Sequence, residues 1–251
     1  MTLQNPFKII AHRGGAGLRL ENSMSAFRNA LSLPIDGIEF DVHLTKDNRV
    51  IVYHDFTINP DLTYRKDGRS FTHQSFPIEN LTFAEVHDFL LKTDPAEPIP
   101  SLYTVLTYIK AHAPHCEIFL EMKTKEFKDD TFLKAILKDI EETGTEDKVR
   151  VLCFEWSTLK HLGRINPNIP LIFAVDDQMH PLNDFLPLIK KDGGWAWSTH
   201  YKNLTADLVH KAHDLNLHVN VWTPNAENEM ERLIGLKVDS ITTDRPDLLI
   251  S

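Results

Sequence analysis

The sequence predicts an α/β fold, a TIM (β/α)8 barrel with a small insertion after the second strand region, on three observations. Eight short β-rich runs recur along the chain, longer segments of helical period separate them, and the length of 251 residues, which would also fit two small domains, is common for a single barrel. The runner-up, an open doubly wound sheet, would ordinarily show fewer units and a glycine-rich phosphate loop after its first strand. The whole of 1–251 is read as one domain.

Taken in order, strands are expected at 7–12, 37–44, 117–121, 148–154, 169–175, 194–198, 217–222 and 239–242. Between them, helices are expected near 23–32, 101–112, 129–143, 156–165, 182–191, 205–215 and 225–236. Asn22 or Ser23 and Thr205 suit N-caps, and Leu204, Leu208, Val209 and Ala212 recur at helical spacing. The weakest helix contains Pro187, whose ring would clash with the preceding turn, so a kinked or broken segment is expected there. One interval departs from the repeat. Residues 56–100 carry Gly68 among charged neighbours, then Leu81, Val86, Phe89 and Leu90 at nearly helical spacing, and end in Asp94-Pro95-Ala96-Glu97-Pro98. So long an excursion in a compact fold reads as a functional segment or small subdomain.

Composition narrows the partners. A content of 42% hydrophobic and 25% charged residues is that of a globular chain with a large core. A formal charge of −9 argues against a surface that tracks nucleic acid or anionic lipid, so an anionic substrate would need locally clustered cations. Cys116 and Cys153 fit no CxxC pattern and read as ordinary reduced residues. No basic segment followed by an apolar stretch opens the chain, and no run of about 18 apolar residues occurs, so no membrane span and a cytoplasmic location are expected. Nothing in the composition fixes an oligomeric state.

In such a barrel the chemistry lies where strands end. His12-Arg13-Gly14 closes the first strand, Glu39-Phe40-Asp41 lies in the second, Glu121-Met122-Lys123 closes the third, and Trp222 closes the seventh. A strand period of two puts Glu39 with Asp41, and Glu121 with Lys123, on one face, so three carboxylates can share the barrel mouth. Like charges about 4 Å apart repel by roughly 4 kcal/mol at an effective dielectric near 20, so a cation or a proton must offset them. Oxygen-only ligands favour a hard divalent cation, Mg²⁺ or Ca²⁺. The bland alternative, a solvated strand face, fits poorly with the apolar neighbours in Gly-Ile-Glu-Phe-Asp-Val and Ile-Phe-Leu-Glu-Met. A hairpin through Thr45-Lys46-Asp47-Asn48 and the run 49–53 would return His54 to the same mouth as His12, and histidine exchanges protons near neutral pH.

At this point the chain resembles the glycerophosphodiester phosphodiesterase family over nearly its whole length. The shared segments are His12-Arg13-Gly14, Glu21-Asn22-Ser23, Gly37-Ile38-Glu39-Phe40-Asp41-Val42, Leu44-Thr45-Lys46-Asp47, His54-Asp55, Ile99-Pro100-Ser101-Leu102, Glu121-Met122-Lys123, Val221-Trp222-Thr223 and Thr243-Asp244-Arg245-Pro246. The resemblance implies a TIM barrel with a small inserted subdomain that hydrolyses glycerophosphodiesters to sn-glycerol 3-phosphate and an alcohol with a divalent cation. It implies metal ligation by Glu39, Asp41 and Glu121, acid/base catalysis by His12 and His54, and phosphate binding by Arg13 and Lys123. Trp222 matches a residue lining the glycerol site.

The chain departs from the family pattern at four positions: Leu20 for proline, Ser23 for threonine, Tyr103 for an acid, and Cys153 for the serine at the end of the fourth strand. The last weakens a hydroxyl contact on this reading. His200 is a further candidate to reach the mouth, and Asp244 is expected to orient or cap near the last strand. Two other readings stay open: a catalytically silent barrel that binds glycerophosphodiesters, and a phospholipase or sphingomyelinase-like relative.

Overall fold

A computed structural model describes residues 6–176 and 185–250 of the chain. It opens with β1 (Lys8–Ala11), α1 (Met24–Ala30), β2 (Gly37–Leu44) and β3 (Val50–Val52). The excursion holds β4 (Thr63–Arg65), α2 (Phe83–Val86), β5 (Phe89–Leu91) and β6 (Glu97–Pro98). The alternation then continues as α3 (Leu102–His112), β7 (Glu117–Met122), α4 (Thr131–Thr143), β8 (Val149–Cys153), α5 (Trp156–Ile165), β9 (Leu171–Val175) and α6 (Leu186–Lys191). It ends with β10 (Ala196–His200), α7 (Ala206–Asp214), β11 (His218–Trp222), α8 (Glu227–Gly235) and β12 (Ser240–Thr243).

Eight of these strands, β1, β2 and β7 to β12, pair in parallel with their neighbours, and β1 pairs with both β2 and β12, which closes the barrel. Alternation sorts their side chains into two cores. Ile9, Ala11, Ile38, Phe40, Val42, Ile118 and Leu120 pack outward against the helices. Ile10, Phe119, Leu152, Ile172, Ala174 and Ala196 fill the interior. Below them, Lys8 and Arg150 both donate to Glu117, at 2.7 and 3.1 Å, and Trp195 stacks on His218. Further up, the buried Asn220 donates to the Ser198 hydroxyl while its carbonyl accepts from Ser240 and Thr242. This satisfied network gives the mouth a rigid floor.

Helix starts follow side-chain capping. Ser23, Ser101 and Thr205 accept from the backbone N–H groups of Ala26, Thr104 and Leu208. Of the two residues suited to cap the first helix, Ser23 does so. The expected kink at Pro187 is not found. Helix α6 begins at Leu186, so the proline sits in the first turn, where its missing N–H leaves no bond unmade. Residues 182–184 of the expected helix lie outside the described residues. The sixth strand runs two residues later than expected, because its pairing with β9 starts at Ala196 and Ile172.

Residues 81–90 form no continuous helix. Thr82 caps α2 through a reciprocal box with Glu85, and after Val86 the chain extends into β5 between β4 and β6. The separate core of this excursion gathers Phe71, Ile78, Val86, Phe89, Leu91 and Ile99 against Ile51 and Tyr53 of the barrel side. Glu97 of β6 ties it to α1 by accepting from the Ser25 N–H at 2.9 Å and from Arg28.

Candidate active site

The site starts with a tight turn that depends on Gly14. Strand β1 stops at Ala11, and Arg13 takes φ 50° while Gly14 takes φ 80°. A Cβ on Gly14 would lie 2.9 Å from Phe27, so glycine is required both for its dihedral and for the close approach. The turn presents the Arg13 N–H to Glu39 at 2.9 Å, while the guanidinium reaches Glu21 at 2.9 Å and Asp41 at 3.4 Å.

The register of β2 and β7 sets Asp41 beside Glu121. One oxygen each of Glu39, Asp41 and Glu121 lies within 4.8 Å of the others. Lys123 donates to Glu121 at 2.8 Å and stands 3.6 Å from Asp41, which also accepts from the Asn22 amide at 2.8 Å. Burial pushes the Glu39 carboxyl up to about 8, with the Asp41 charge adding to the effect. Burial and Asp41 likewise raise Glu121. Burial acts in the same direction on Asp41, but Lys123, Arg13, His54 and the Asn22 amide overcome it and hold its pKa below the ordinary value. Burial works against charge on Lys123, yet Glu121 and Asp41 outweigh it and raise its pKa.

Those shifts describe a carboxylate cluster short of positive charge. Glu39 Oε1 is buried without a hydrogen-bond partner. A cation among the three carboxylates fits both features, since it would offset the repulsion and give that oxygen a partner.

His12 and His54 each lean on an aspartate. His12 Nδ1 lies 2.6 Å from Asp244 Oδ1, with its Nε2 3.9 Å from Glu39, and His54 Nδ1 lies 2.7 Å from Asp55 Oδ1. Burial disfavours the charged form of His12, but Asp244 and Glu39 prevail and its pKa is raised. Both rings line a cavity of about 220 Å³ together with Arg13, Glu39, Glu121, Lys123, Phe154 and Trp222. A larger groove of about 620 Å³ shares Lys123 with it and runs between Phe56 and Pro77 of the excursion and residues 124–129 after β7. Lys125 sits over the Phe56 ring at 4.6 Å and Lys128 pairs with Glu79 at 3.0 Å, so contacts cross this groove.

The structure thus brings His12, Arg13, Glu39, His54, Glu121, Lys123 and Trp222 to one cavity, with Asp41 buried against them. The Trp222 indole N–H is buried without a partner. His200 packs against Trp222 at 5.3 Å and is not part of the cavity wall. Cys153 belongs to the outer core and its thiol donates to the Met122 carbonyl at 3.4 Å, a weaker contact than a hydroxyl would make there. Sequence reasoning gave no role to Asp55, Asn59, Asn225 or Glu21. Asp55 and Glu21 could have been found from the segments His54-Asp55 and Glu21-Asn22-Ser23, but the partnerships of all four are set by loop conformation.

Comparison with known proteins agrees with this geometry. Residues 12–248 match the model of the glycerophosphoryl diester phosphodiesterase family. A glycerophosphodiester phosphodiesterase of Bacillus altitudinis is 30% identical over 240 residues, covering 96% of this chain and 95% of that one. The crystal structure of a glycerophosphodiester phosphodiesterase from Parabacteroides distasonis superposes with a TM-score of 0.79 at 25% identity, covering 98% of this chain and 95% of that one. A phosphodiesterase of Oleispira antarctica, solved with the product sn-glycerol-3-phosphate, shares the fold with a TM-score of 0.80 at 18% identity and coverage of 95% and 93%.

Proposed function

Because the chain belongs to the glycerophosphoryl diester phosphodiesterase family, we infer that it hydrolyses glycerophosphodiesters to sn-glycerol 3-phosphate and an alcohol. The observation that carries this reading is the meeting of three carboxylates, two cations and two aspartate-backed histidines around one cavity. Glu39, Asp41 and Glu121 would hold a divalent cation, and their oxygen-only donor set suits Mg²⁺ or Ca²⁺. When bound, such a cation supplies positive charge to the phosphoryl oxygens and offsets the carboxylates.

The rest of the chemistry belongs to the chain's own side chains. Arg13 and Lys123 bind the phosphodiester anion, placing fixed charge where negative charge builds up in transfer. Trp222 lines the glycerol end. His12 and His54 divide acid and base work: one takes the proton of the nucleophile, and the other protonates the alcohol oxygen as its bond to phosphorus breaks. Water attacking directly and the neighbouring glycerol hydroxyl forming a cyclic phosphate are both compatible with this geometry. The excursion at 56–100 acts as a small subdomain of the single-domain chain, and its side of the 620 Å³ groove selects the alcohol.

Buried free thiols at Cys116 and Cys153 support a reducing, cytoplasmic setting, and no described helix is long and apolar enough to cross a membrane. A panel of glycerophosphodiesters with choline, ethanolamine, glycerol and inositol tests the reading. The purified chain is expected to release sn-glycerol 3-phosphate from at least one. Binding of the panel without release would identify a silent barrel instead.

A further inference from the structure

Each catalytic imidazole heads a chain of the same three residue types, built from unrelated parts of the fold. On one side, His12 meets Asp244, and the Asn225 amide nitrogen donates to the other Asp244 oxygen at 2.6 Å. On the other, His54 meets Asp55, and the Asn59 amide nitrogen donates to the other Asp55 oxygen at 2.7 Å. Neither asparagine is free to flip. The Asn225 carbonyl accepts from the Asp244 N–H and the Thr243 hydroxyl, both at 3.0 Å. The Asn59 carbonyl accepts from the Asp61 N–H at 2.8 Å.

We propose that Asn225 and Asn59 are positioning residues that fix the polarity of the two relays, keeping Nδ1 of both imidazoles protonated so that proton exchange takes place at Nε2, through its lone pair in the base and its N–H in the protonated acid. The inference rests on the hydrolase reading above and assigns residues to it that the motif set does not. An ionised carboxylate only accepts, so the ring nitrogen facing it must donate. Asparagine makes this robust by committing the far carboxylate oxygen to an N–H donor. The two relays differ in what anchors them. Asp244 and Asn225 stand just past the ends of β12 and β11, so the barrel holds His12. Asn59 lies in the excursion, where its N–H donates to the Tyr53 hydroxyl at 2.9 Å and its backbone carbonyl accepts from the Thr63 hydroxyl at 2.7 Å. The excursion therefore sets the orientation of His54 as well as shaping the groove.

The polarity has a distinctive consequence. In Asp244→Asn, Asn225 still demands an acceptor, so the new amide turns its oxygen to Asn225 and its NH₂ to His12, which forces the proton onto Nε2. Asp55→Asn does the same to His54 through Asn59. Two-bond ¹H–¹⁵N spectra of the histidine-labelled full chain at alkaline pH, assigned with His12→Gln and His54→Gln, read the tautomers directly. Wild type is expected to show Nδ1–H at both rings, and each aspartate variant Nε2–H at its own. Each aspartate variant should lose roughly 10²- to 10⁴-fold in kcat with KM within about threefold, the size of an acid/base contribution. Adding Asn225→Ala to Asp244→Asn, or Asn59→Ala to Asp55→Asn, frees the amide to turn. It should restore Nδ1–H and recover kcat at least about tenfold over the single variant. A structural role alone would make the doubles slower than the singles. Wild-type rings carrying Nε2–H, or doubles no faster than singles in both pairs, would overturn the proposal. Rescue in one pair only overturns it for the other asparagine. Absence of turnover by wild type would sink the hydrolase reading instead, and the spectra would still decide the tautomers.

Discussion

Loading the carboxylate cluster with Mg²⁺ at pH 7 is expected to release about one proton per cation. Glu39 is 3% exposed, and burial with the adjacent Asp41 pushes its carboxyl up to about 8. In the metal-free protein at pH 7, most molecules then carry that proton. A cation held by all three carboxylates needs the oxygen bare, so binding must expel it. Release should be near one at pH 6 to 7, about one half at pH 8 and near zero two units higher, and the apparent affinity should rise about tenfold per pH unit until it flattens above pH 8. The sign for stability is opposite to that of an ordinary paired carboxylate. The folded pKa lies above the unfolded one, so the contribution is complete below pH 4.5 and lost as pH rises through about 8 in the metal-free protein. Calorimetric titration in two buffers of different ionisation enthalpy counts the protons. Glu39→Gln should bring the count close to zero, with any remainder reporting Glu121, which is also raised. No release at pH 7, or equal release from wild type and Glu39→Gln, would refute the electrostatic account of the cluster.

Three further outcomes are expected. A glycerophosphoryl nitrophenyl ester leaves without protonation, so loss of the acid among His12→Ala and His54→Ala should be largely rescued on it relative to the choline ester. Loss of the base should not be rescued, and equal losses on both esters would remove the division of roles. Phe56→Ala opens the groove beneath Lys125 and should reorder the choline, ethanolamine and inositol esters by about tenfold in kcat/KM, with little change on the nitrophenyl ester. A fixed ranking would make that wall structural. At the barrel base, burial and Lys8 lower His218 to about 4 against the pull of Asp239. Its contribution to stability is present above about pH 6.5 and lost as pH falls towards 4. The drop between pH 7 and 5 in urea unfolding should therefore be smaller by about 2 kcal/mol in His218→Gln, and identical slopes would contradict the assignment.

The barrel was legible because two periods alternate eight times, and each strand carries its inner and outer faces in the sequence. Ile38, Phe40 and Val42 go to the outer core while Glu39 and Asp41 face the site, as a period of two requires. Strand and helix ends were less legible, since Ala196 rather than Gly194 begins β10 through pairing and Pro187 starts a helix instead of bending one. In the excursion, Val86 and Phe89 at helical spacing belong to a helix and a strand, because pairing with β4 and β6 overrides the pattern. The mouth was legible as a set of residue types at strand ends. Its supports were less so: Asp244 was expected to orient or cap, but not its partner His12, which it meets across 232 residues through closure of the barrel, and Asn22 reaches Asp41 from a loop position with φ 54°.

The hydrolase account stands most directly on one measurement: phosphorus NMR of glycerophosphocholine incubated with the purified chain, first with Mg²⁺ or Ca²⁺ and then with excess chelator. The diester signal is expected to convert to that of sn-glycerol 3-phosphate, to stop converting when the cation is removed, and to resume on its return. A diester that never converts, or conversion at the same rate in chelator, would contradict the site built on Glu39, Asp41 and Glu121.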